Sequence, residues 1–134
     1  MNAEKKIKVD YYKGPFGPTI RVSVPSTEAL TILRKLFNNL ASGSISKYSF
    51  RLDPLVELIG LQDLCLHVVR ERKCKTVDVI RRENEQAEAI WSNNLDGWDQ
   101  CLGLLDGLTG TIPGHQYLSE EGIDDALIVM AYLE

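Results

Sequence analysis

The sequence predicts an α+β domain: a mostly antiparallel sheet of about six or seven strands, with two main helices packed on one face. Three observations carry this. Short runs of alternating apolar and polar residues recur between turn-forming clusters, as half-buried strands require. Two longer stretches repeat their apolar residues at helical spacing instead. The 134 residues suit one domain, and no repeat, linker or low-complexity tract divides them.

Lys6 to Tyr12 sets Ile7, Val9 and Tyr11 against Lys6, Lys8 and Asp10, and Ile20, Val22 and Val24 repeat the pattern. Gly14-Pro-Phe-Gly-Pro18 between them predicts a hairpin with a five-residue tip. Ser26 then suits a helix N-cap, followed by an apolar stripe of Ala29, Leu30, Leu33, Leu36, Phe37 and Leu40, with Gly43 as the stop. Ile45 to Leu52 reads as a return to the sheet. Asp53-Pro54 resembles a cap followed by a first-turn proline, which predicts a short helix over Pro54 to Ile59 ending at Gly60.

Leu64 to Arg70 is nearly continuous apolar sequence and predicts a strand buried on both faces. Thr76 to Arg82 and Ala87 to Trp91 follow as strands. Asn94 can cap a second helix over Leu95 to Leu108, whose apolar stripe is Trp98, Cys101, Leu102, Leu105 and Leu108. Gly103 and Gly107 fall on the opposite side, where each disfavours helix by about 0.5–1 kcal/mol relative to alanine. Two explanations stand: close approach of another segment or partner, or a marginal helix held by its buried side. Pro113-Gly114 then leads into a short strand at Gln116 to Leu118, and Ala126 to Leu133 forms a covered last strand.

The charges are distributed unevenly. All 15 Lys and Arg residues lie at or before Arg82, accompanied by 8 acids, whereas the remainder from Glu83 holds 11 acids and no Lys or Arg, for a net charge of −4. This predicts either an acidic face for a basic partner or two halves that interleave and neutralise each other. The amino terminus lacks the apolar run of a signal peptide, no apolar stretch is long enough for a membrane span, and three cysteines do not make a disulfide framework. A cytoplasmic protein is expected, with no membrane association.

Candidate chemistry is sparse. Cys65-x-His67 could join Cys74, Cys101 and His115 around a metal, but none of these spacings forms a ligand knuckle, so neither metal nor cofactor is expected. Cys101 belongs to an apolar helix stripe, where a thiol stays protonated. The glycines at 103–110 fit neither a dinucleotide fingerprint nor a phosphate loop. Arg70, Arg72, Lys73, Lys75, Arg81 and Arg82 cluster around one turn, yet no stacking aromatics interleave with them, which argues against nucleic acid. His115 has acids nearby in sequence but no nucleophile or oxyanion donor, so it reads as a turn residue; a small enzyme or ligand-binding protein using His115 is the alternative reading.

Trp98, Leu105, Pro113-Gly-His-Gln-Tyr-Leu118, Asp124-Asp125 and the apolar strand after them resemble the corresponding part of small bacterial proteins similar to the immunity proteins of polymorphic and contact-dependent toxin systems. The resemblance covers roughly the last 40 residues. It implies a non-catalytic cytosolic module that binds a protein partner, such as a basic toxin domain. The expected partner-facing residues, read from the cation-free portion of the chain, are Asp96, Asp99, Asp106, Glu120, Glu121, Asp124 and Asp125.

Overall fold

The computed structural model describes residues 6–14, 17–70, 75–80, 86–106, 114–117 and 127–132. Among them are nine strands and two α-helices in an α+β arrangement: β1 (Ile7–Gly14), β2 (Gly17–Val24), α1 (Thr27–Ser42), β3 (Lys47–Ser49), β4 (Val56–Ile59), β5 (Leu61–Val68), β6 (Lys75–Ile80), β7 (Ala87–Asn93), α2 (Leu95–Asp106), β8 (Gly114–Tyr117) and β9 (Leu127–Tyr132). A single 3-10 turn, Phe50–Leu52, separates β3 from β4.

The strands form two sheets rather than the single sheet expected. One has the order β4-β1-β2-β9-β8 and the other β3-β5-β7-β6. The pairing is also mixed: β1–β4, β2–β9 and β5–β7 are parallel, and the other four ladders are antiparallel. Alternation along a strand fixes which residues face inward but not which strand lies beside it, so both features escape a local reading.

Ser26 caps α1 as predicted, its Oγ accepting the Ala29 amide at 3.1 Å, and Gly43 ends the helix in the left-handed region at φ 78°. The six residues of the predicted stripe are all buried. The β1–β2 hairpin is tighter than expected: Gly14 pairs with Gly17, leaving two residues between the strands instead of a five-residue tip. The helix predicted over Pro54 to Ile59 is in fact strand β4. Asp53 Oδ1 accepts the Leu55 amide at 2.9 Å, so the side chain expected to cap a helix closes a turn, and Val56 enters the ladder opposite Ile7. Only Lys47 to Ser49 of the strand expected over 45–52 is strand.

One contiguous core joins both layers. Ile7, Val9, Ile20, Val22 and Ile128 come from the first sheet, Leu64, Leu66, Val77, Ala89 and Trp91 from the second, and the helices add Leu33, Phe37, Trp98 and Leu105. Its centre is aromatic. The Trp91 and Trp98 rings lie 4.7 Å apart, and Phe37 meets them edge-on at 5.8 Å and tilted at 5.5 Å. Among the described residues, no helix is long and apolar enough to cross a membrane.

Candidate partner-binding face

Helix α2 owes its orientation to three contacts. The Asn94 side chain accepts the Gly97 amide at 2.8 Å, and the Asn94 carbonyl accepts the Trp98 amide at 3.1 Å. The Trp98 indole donates to the His67 carbonyl at 2.9 Å, tying the helix to the end of β5. Gly97 packs so closely on Asn93 that a Cβ would lie 2.8 Å from its Oδ1. With Trp98, Cys101 and Leu105 buried, helical geometry turns Leu95, Asp96, Asp99, Gln100, Gly103 and Leu104 toward solvent.

Two of the seven expected partner-facing acids are therefore on this surface. Among the described residues, neither Asp96 nor Asp99 forms an ion pair, and Leu95 and Leu104, 45% and 38% exposed, flank them. A Cβ at Gly103 would meet nothing within 4 Å, so no segment of the described chain accounts for that glycine. The Asp106 backbone closes α2, while Glu120, Glu121, Asp124 and Asp125 lie outside the described residues. So do Arg72, Lys73, Arg81, Arg82, Cys74 and Gly107. The backbone of His115 is in β8, opposite Ala131, so it is a strand position rather than part of the preceding turn.

Beside the first turn of α2 is an open cavity of about 590 Å³, walled by the end of α1, the end of β5 and the start of α2. Ile45, Val68, Arg70, Leu95 and Asp96 are among its lining residues. No sequence signal marks it, because three distant segments build it.

A second polar cluster is built around Asp63 of β5. Asp63 is 5% exposed, and its carboxylate accepts the Ser49 hydroxyl at 2.6 Å, the Arg51 amide at 2.9 Å and the Cys65 thiol at 3.1 Å. Burial pushes the Asp63 pKa up, but the bonds from Ser49, Cys65 and the Arg51 and Leu64 amides outweigh it and hold the pKa below the usual carboxylate value. The Cys65 thiol is pushed up to about 11, first by burial and then by donating to the Asp63 carboxylate. A protonated thiol committed to a carboxylate is a poor nucleophile.

Cys65 and His67 were expected in a strand buried on both faces. Both are instead partly exposed, because after the register irregularity at Leu61/Asp63 the strand alternates, with Leu64 and Leu66 buried and Cys65 and His67 on the other face. Burial and the neighbouring Lys47 lower the His67 pKa. Among the described residues, no group of three or more His, Cys, Asp and Glu side chains could hold a metal ion. Asp63 was missed by sequence reasoning; its only signal was an acid placed inside an apolar run.

Compared with protein families, curated proteins and solved structures, the chain matches none.

Proposed function

We propose that this chain is a non-catalytic protein-binding module whose solvent-facing side of α2 meets a basic surface on its partner, in the manner of an immunity protein neutralising a toxin domain. The observation that carries the reading is that Asp96 and Asp99, which form no ion pair among the described residues, lie between exposed Leu95 and Leu104 on one anchored helix. Such a surface offers apolar contact area at its flanks and charge to steer association at its centre. The resemblance of the last 40 residues to immunity proteins supplies the toxin-directed version, and a cytoplasmic location follows from it.

The test starts from the neighbouring open reading frame, where a toxin-like product is expected; that product is co-expressed with this chain and then used for association kinetics. Wild-type protein is expected to rescue growth. The double variant D96K/D99K is expected to associate at least about tenfold more slowly at low salt, with a flatter salt dependence and an unchanged melting temperature. Kinetics identical to wild type would remove this face from the interface.

A further inference from the structure

We propose that the cavity beside α2 is a binding site for a free α-amino acid with a large apolar side chain. The walls are fixed by the backbone: the Val68 amide donates to the Ser46 carbonyl at 2.8 Å, and the Val69 amide to the Asn93 carbonyl at 3.0 Å. The space of about 590 Å³ falls in the roughly 300–1,000 Å³ range of small-ligand clefts.

Its chemistry has two parts. Ile45, Val68, Val69 and Leu95 supply apolar walls, and Arg70 and Asp96 supply one positive and one negative group. Both charged residues are exposed, and among the described residues neither has an ion-pair partner, including each other. Opposite charges on one small cavity that leave each other unpaired fit a ligand bearing both complements. The Arg70 guanidinium takes a carboxylate through its paired N–H groups, and the Asp96 carboxylate takes an ammonium. The apolar lining then selects a leucine- or phenylalanine-sized side chain. An entirely basic occupant is disfavoured by Arg70, and an anion alone by Asp96.

This site goes beyond the partner-binding reading. It shares Asp96 with that surface but not Asp99, so D99K separates the two: it should slow association with the partner and leave amino-acid binding intact.

The experiment is calorimetric titration with L-phenylalanine and L-leucine, alongside N-acetyl-L-phenylalanine, which lacks the ammonium, and L-phenylalaninamide, which lacks the carboxylate. The free amino acids are expected to bind, and each blocked form to bind at least about tenfold more weakly, as loss of a charge-assisted hydrogen bond implies. D96N should lose affinity for the free amino acid yet no longer distinguish it from the acetylated form. R70Q should behave in the same way toward the amide. Since both side chains are exposed, circular dichroism of the variants should match wild type. Absence of binding by either amino acid, or equal binding of the blocked forms, would overturn the assignment.

Discussion

At the scale of single residues, the most consequential polar group is Asp63. It is buried, and its two oxygens join β5 to β3 through Ser49 and to the following 3-10 turn through the Arg51 amide, while also accepting the Cys65 thiol of its own strand. The variant D63N keeps the shape and loses the charge, and it is expected to lower unfolding free energy by about 1–3 kcal/mol at pH 7. Because the folded-state pKa of Asp63 lies below its unfolded value of 3.8, the folded protein binds this proton less readily than the unfolded chain. Its contribution is therefore fully present above about pH 4 and lost as pH falls through the lowered value. Urea unfolding should show a wild-type to D63N gap at pH 7 that narrows in acid; a gap independent of pH would contradict the ionic role. Cys65 reports on the same group. With its pKa at about 11, alkylation at pH 8 should run on the order of 100-fold slower than at an ordinary thiol, and D63N should accelerate it.

At the scale of elements, the two glycines of α2 make opposite demands. Gly97 faces the Asn93 side chain, with 2.8 Å to Oδ1 and 2.9 Å to Cβ, whereas Gly103 faces open space. Gly103→Ala should raise stability by about 0.5–1 kcal/mol, the difference in helix propensity, and Gly97→Ala should lower it because Asn93 must move. Thermal unfolding of the two single variants distinguishes them, and a shift of the same sign in both would refute this account. Legibility divides in the same way. Helix α1 was readable from end to end because its cap, stripe and stop are local: Ser26, the residues from Ala29 to Leu40, and Gly43. Strand β4 was not, since Asp53 performs the same side-chain-to-amide chemistry at a turn as at a helix cap, and only the parallel neighbour β1 selects the strand. Gly60, expected as a helix stop, instead turns the chain at φ 78° between β4 and β5, where a Cβ would lie 2.9 Å from the Tyr11 carbonyl oxygen.

At the scale of the whole molecule, the charge asymmetry of the sequence does not become a division of the fold. The cation-free portion after Arg82 supplies β7, which lies between β5 and β6, and β9, which lies beside β2, so both sheets mix the two portions. The helical stripe through Trp98 makes Asp96 and Asp99 legible as an outward face, but what Trp98 meets is not legible in the sequence. It meets Phe37 from α1 and Trp91 from β7, so three segments far apart in sequence complete one aromatic centre. Removing Phe37 takes away a fully buried ring that touches both indoles, and Phe37→Ala should cost about 3–5 kcal/mol through lost transfer energy and the cavity left behind. If this centre couples the helices to the second sheet, the variant should still unfold in one transition, with tryptophan fluorescence and far-ultraviolet circular dichroism changing at the same, lower urea concentration. A fluorescence transition that precedes the loss of circular dichroism would mean that the aromatic centre opens while the strands remain paired. The helices and the second sheet would then be separate cooperative units, and the bond from the Trp98 indole to the His67 carbonyl would be lost before the sheet unfolds.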